Sequence, residues 1–146
     1  MALLNDPQTR SRIETRIRAL TPDSRPAWGK MSVDQMLWHV NQAMGISLGT
    51  VTVRPGGPKM PAWLMRLMVI HVPWPKGAPT HPDVVPKQQY DFTEERERVL
   101  RNVAEIAGRP LDYSWPPHPG FGKMSAREVN VLTHKHLNHH LTQFGV

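Results

Sequence analysis

The sequence predicts an all-α fold: a four-helix bundle with one long, Pro-rich crossover insertion between its second and third helices. Three observations lead there. Four segments carry apolar residues at helical spacing behind residues suited to capping. No stretch alternates convincingly as a strand; "GTVTVRP" at 49–55 is one short extended run, and a single strand makes no sheet. Most of the 15 prolines and 10 glycines fall between Gly45 and Pro86 and between Gly108 and Gly122, which assigns irregular structure to the middle of the chain.

The first helix is read from Ile13, Ile17 and Leu20 at i, i+4 and i+7, behind Asp6 and Pro7, which suit a cap and a first turn. The second runs from about Val33 to Leu48 and stops at Gly49. More than forty residues then separate it from the third helix, too many for a tight hairpin, so this connection crosses the bundle. Within it, "MPAWLMRLMVIHVPW" from Met60 to Trp74 is too short to span a bilayer, contains Arg66 and is closed by prolines. It predicts a short buried helix around Pro61 to His71. The third helix follows Thr93, with Glu94 and Glu95 in its first turn and Val99, Val103 and Ile106 facing inward, and ends at Gly108-Arg109-Pro110. The fourth runs from about Ala126 to Phe144, with Gly145 after it.

Composition narrows the chemistry. A chain of 146 residues is one domain's worth, 1–146, and can bury a single core. With no cysteine, disulfides, thiolate metal ligands and a cysteine nucleophile are excluded, so a metal would rest on His, Asp or Glu. The start "MALLNDPQTR" lacks a charged head followed by an apolar run, and the cytoplasm is the expected location. The net charge is +6, but Arg10, Arg12, Arg16 and Arg18 lie along one helix and other cations alternate with acids in "EERERVLR". No basic run interleaves with aromatics, so a solvated basic surface is favoured over a nucleic-acid surface.

An internal echo fixes two helix starts. "WGKMSVDQML" at 28–37 and "FGKMSAREVNVL" at 121–132 share aromatic-Gly-Lys-Met-Ser, and each Ser is followed three residues later by Gln35 or Glu128. Ser32 and Ser125 are therefore expected to open capping boxes. From these starts the helix faces can be counted.

Four of the eight histidines lie in "HKHLNHH" at 134–140. At about 100° per residue with His136 as zero, Val129 falls at about 20°, Leu132 at −40° and His140 at 40°. His136 and His140 thus sit in the apolar face, His139 at about −60° on its edge, and His134 at about 160° on the solvent side. Two imidazoles at i, i+4 in a buried face must both stay neutral and find partners, which is hard to explain as packing. The spacing brings both rings to one point, the arrangement a metal ion needs. On the second helix His39 looks inward beside Met36, Ala43 and Ile46, and supplies a third ligand; as a lone residue it would read as a core histidine bonded to a carbonyl. Three neutral nitrogens leave open positions on the ion, as catalytic sites do. His71, His81 and His118 lie in Pro-rich loops, His118 of "PPHPGFG" being free to approach the site. The five tryptophans, Trp28, Trp38, Trp63, Trp74 and Trp115, are read as core before substrate platform, with Trp63 and Trp74 bordering the insertion.

The pattern resembles the DinB/YfiT-like superfamily of metalloenzymes, and within it a bacterial branch of unassigned function. The resemblance rests on "WGKMSVDQMLWHV" at 28–40, "DFTEERERVL" at 91–100 and "FGKMSAREVNVLTHKHLNHHLTQFG" at 121–145, and with the first helix covers most of the chain outside 50–90. It implies that His39, His136 and His140 bind a divalent metal, zinc or nickel. Many members follow the second HxxxH histidine with Arg-Gly-Gln; here Leu141-Thr142-Gln143 keeps only Gln143. Characterised relatives include transferases and isomerases that use low-molecular-weight thiols. The resemblance therefore implies a thiol-dependent S-transferase acting on a small-molecule substrate. The alternatives are a metal-hydroxide hydrolase, second because no positioned carboxylate is evident, and a non-enzymatic basic nucleic-acid-binding module. The expected partners are a small thiol and a second copy in a homodimer, with no membrane and no nucleic acid.

Overall fold

Each long helix begins where a side chain can accept one of its first free N–H groups. The computed structural model describes residues 1–146 and contains α1 (Pro7–Ala19), α2 (Val33–Leu48), α3 (Ala62–His71), α4 (Phe92–Gly108) and α5 (Ala126–Gln143), with one 3-10 turn at Pro82–Val84 and no strand. Asp6 accepts from the Thr9 N–H at 2.8 Å, and Pro7 occupies the first turn of α1, where its missing N–H costs nothing. Both capping boxes are present. At α5, Ser125 and Glu128 exchange bonds of 2.8 and 3.2 Å. At α2, Gln35 accepts from the Ser32 N–H at 3.0 Å while the Ser32 hydroxyl also donates to Asp34 at 2.6 Å. Gly49 closes α2 at φ 79°, a left-handed conformation that glycine adopts without strain.

Helix α4 starts earlier than expected. Its cap is Asp91, accepting from the Glu94 N–H at 2.8 Å, so Thr93 already lies inside the helix. Val99, Val103 and Ile106 are buried as the spacing required, but so is the first-turn Glu95. Its carboxylate accepts from Asn41 Nδ2 at 2.8 Å, and Asn102 donates to Asn41 Oδ1 at 3.0 Å. This network spans the seam where α2 packs on α4.

One hydrophobic cluster joins the four long helices: Ile13 and Ile17 from α1, Met36, Leu37 and Val40 from α2, the α4 triplet, and Val129, Leu137 and Leu141 from α5. Helix α3 adds only Ile70 to it. It packs against α5, yet only Ile70 is buried, while Trp63, Leu67 and Met68 are exposed. The expectation of a buried helix is corrected here: α3 is held along one side and nothing covers the other.

Candidate metal centre

The two echo motifs deliver histidines to one place. His39 lies two turns into α2, and His136 and His140 occupy the last two turns of α5, where the helices face each other. His39 and His140 are buried and His136 is half-buried. His136 Nε2 lies 3.1 Å from His39 Nε2 and 3.1 Å from His140 Nε2. One ring nitrogen from each residue falls within 4.8 Å of the others, a cluster that could hold a metal ion.

The outer partners decide where the protons are. His39 Nδ1 lies 2.8 Å from the Val84 carbonyl, which can only accept, so Nδ1 carries the proton and Nε2 presents a lone pair. His140 Nδ1 lies 2.7 Å from Gln143 Oε1. The orientation of that amide is set by its nitrogen, which donates to the Trp28 carbonyl at 2.8 Å. His140 Nδ1 therefore donates as well. Two lone pairs converge on His136 Nε2, which can offer one proton at most. Without a cation, at least one close nitrogen pair has no hydrogen between it.

Protonation does not resolve this arrangement. Burial, and then the neighbouring His140, His39 and His139, push His136 well below the usual histidine range. Burial lowers His39 too, against the Val84 bond that favours its charged form. Burial and His39 bring His140 down to about 3, with Gln143 opposing. All three rings are neutral at pH 7, the form that ligates metal.

The donor set fits a divalent ion. Around a tetrahedral ion with Zn–N bonds of about 2.0–2.1 Å, ligand nitrogens stand about 3.3 Å apart, close to the two observed separations. A metal-binding imidazole that donates its other N–H to a carbonyl or amide oxygen is the usual outer-sphere arrangement, and His39 and His140 both have it.

Sequence-profile comparison agrees with the motifs: the profile of the DinB superfamily matches residues 7–144. The chain belongs to the DinB superfamily. No curated protein and no solved structure matches it. As a DinB-superfamily protein it puts its crossover to a definite use. The 3-10 turn Pro82–Val84 carries the carbonyl that orients His39. His81 caps that turn by accepting from the Asp83 N–H at 3.0 Å, and Asp83 in turn accepts from the Arg54 N–H at 2.8 Å and pairs with its guanidinium.

The other candidates lie elsewhere. His139 sits on the edge of the cluster, its ring 5.1 Å from His140, 5.9 Å from Trp28 and 5.8 Å from Trp74. The Trp74 ring also lies 5.5 Å from His136, so Trp28 and Trp74, both half-buried, flank the histidines. Only Trp115 among the tryptophans is buried; Trp74 is partly buried against the core cluster, and the core reading is corrected most plainly for the exposed Trp63. His134 is half-buried instead of solvent-exposed, because α1 crosses that side of α5. There Arg16 donates to Asn138 at 2.7 Å and to Thr142 at 3.1 Å, and its charge, after burial, lowers His134. His118 stacks on Phe121 at 4.3 Å and accepts from the Gly120 N–H, outside the converging set. His71 ends α3 and is exposed.

No membrane-crossing helix is present, as none is both long and apolar enough.

Sequence reasoning missed Val84 and Gln143 as orienting partners. Gln143 was legible in principle, three residues after His140 on the same helix face. A backbone carbonyl such as that of Val84 has no sequence signature.

Proposed function

We propose that this protein is a metal-dependent S-transferase: His39, His136 and His140 hold one divalent ion, and a low-molecular-weight thiol, having lost its S–H proton, forms a C–S bond at an electrophilic carbon of a small substrate as the bond from that carbon to a leaving group such as chloride breaks. The scaffold is read as a four-helix bundle of α1, α2, α4 and α5, with α3 and the 3-10 turn in the crossover. The observation that carries the reading is the set of three Nε2 atoms, two of them 3.1 Å from the third, with too few protons to satisfy one another. A divalent ion bound there supplies Lewis acidity, which lowers the pKa of a thiol enough for thiolate to form near neutral pH.

The chain's own residues supply the rest. Val84 O and Gln143 Oε1 hold two ligand rings in the tautomer that leaves Nε2 bare. Trp74 stands beside the half-buried His136 and Trp28 beside the neighbouring His139, narrowing the access of water on that side. No carboxylate belongs to the cluster, which supports thiol activation over hydrolysis, where a positioned general base is normally needed.

The test is turnover by the protein reconstituted with zinc or nickel. Low-molecular-weight thiols with chlorinated aromatic acceptors should react, and His136→Ala should not support the reaction. Hydrolysis of simple esters without any thiol would overturn the transferase reading in favour of a hydrolase.

A further inference from the structure

Helix α3 presents apolar side chains to solvent that the metal centre does not use. Met60, Trp63, Leu67, Met68 and Val72 are between 36% and 56% exposed, with Trp63 at 56% and Val72 at 50%. At about 100° per residue from Trp63, Leu67 lies at about 40°, the half-buried Leu64 at 100° and Met68 at 140°. These residues form one outward sector, with the exposed His71 at about 80° within it. Its orientation is fixed by polar ties on the inner side. Lys135 Nζ donates to the Val69 and Ile70 carbonyls at 2.9 and 3.1 Å, and Trp74 Nε1 donates to Val69 O at 2.9 Å. Arg66 pairs with Glu128 at 3.3 Å and donates to the Lys123 carbonyl. A helix held this way cannot roll its apolar sector onto the core.

The unpaired charge around it is positive. No Asp or Glu occurs between Asp34 and Asp83, while Arg54, Lys59, Arg66 and Lys76 do. Arg54 is neutralised by Asp83 and Arg66 by Glu128. Exposed Lys59 precedes the helix, exposed Lys76 follows it, and exposed Lys123 lies beside it through the Arg66 contact. An apolar sector with tryptophan and a cationic frame matches an anionic lipid surface, where the side chains enter the headgroup boundary and the ammonium groups meet phosphate. A second copy of the chain on this face would oppose like charges, and nucleic acid offers nothing to Leu67 and Met68. We propose that α3 is an in-plane anchor that docks this protein on anionic membranes. The expectation of no membrane partner rested on the lack of a spanning segment, which this mode does not require.

Co-sedimentation of the full chain with vesicles tests it. Phosphatidylcholine vesicles containing about one-third phosphatidylserine should retain the protein roughly tenfold better than phosphatidylcholine alone. Retention should fall in about 1 M salt, where the Debye length is about 3 Å. Trp63→Ser with Leu67→Ser should abolish retention while helical circular dichroism and metal binding stay unchanged, and Lys59→Gln with Lys123→Gln should weaken it on the anionic vesicles. The proposal is overturned by absence of vesicle binding, by binding that ignores the Trp63 and Leu67 changes, or by a dimer in sedimentation analysis that those changes dissociate.

Discussion

Replacing Gln143 with Leu isolates the orienting shell from the ligands themselves. Gln143 is buried and makes two bonds, accepting from His140 Nδ1 at 2.7 Å and donating to the Trp28 carbonyl at 2.8 Å. Leu fills similar space, so the change removes hydrogen bonding more than volume. His140 then loses the acceptor that keeps its proton on Nδ1, and the tautomer with a protonated Nε2 cannot ligate. Loss of such an outer partner costs about 10–100-fold in metal affinity, or about 1.4–2.7 kcal/mol. Buried His140 Nδ1 and the partly buried Trp28 carbonyl each lose a partner, so the metal-free protein should also lose about 1–3 kcal/mol of stability. For a domain of this size that lowers Tm by about 2–4 °C per kcal/mol. Zinc affinity by chelator competition, with thermal unfolding in EDTA, measures both effects. Unchanged affinity in a folded Gln143→Leu variant would refute the claim that this amide sets the tautomer of His140. Gly29→Ala reaches the same amide from the other side: a Cβ there would come 2.6 Å from Gln143 Nε2, at a φ of 83° that disfavours alanine. It should weaken zinc binding in the same direction.

His136→Ala should abolish metal binding and His134→Ala should leave it unchanged, both by calorimetric titration, since His134 lies against α1 and away from the cluster. Burial brings the His118 pKa to about 4. The unfolded chain takes up its proton first as pH falls below about 6.5. The metal-free protein should therefore lose stability between about pH 6.5 and 4 in urea titrations, and His118→Gln should flatten part of that slope. Glu95→Ala leaves Asn41 Nδ2 without its carboxylate partner in a buried seam and should cost about 1–3 kcal/mol by the same assay, with metal affinity unaffected.

Much of this molecule was legible because its signals are local. Ser32 with Gln35 and Ser125 with Glu128 mark helix starts within four residues, and counting from those starts turned His39, His136 and His140 to one side. What escaped the sequence depends on neighbours distant along the chain. Asp91 and Thr93 are both acceptable caps, and only the fold selects Asp91. Glu95 has a helix-start signature and is nonetheless buried, because Asn41, 54 residues earlier, supplies its hydrogen bond. His134 faces away from the cluster as counted, but a helix wheel does not include α1, whose Arg16 lies beside it. Helix α3 was read as buried from its apolar composition, whereas Lys135, Trp74 and Arg66 hold it from one side by backbone and ionic ties that hydropathy does not register.

The central claim is that three imidazoles share one ion. X-ray absorption at the metal edge of the zinc- or nickel-loaded protein tests it most directly. One ion per chain is expected, with three imidazole nitrogens at about 2.0–2.1 Å and the remaining positions filled by exchangeable light atoms, and the His39→Ala protein should lose this signature. A first shell with fewer than three imidazoles, a carboxylate among the protein ligands, or no bound ion at neutral pH would contradict it.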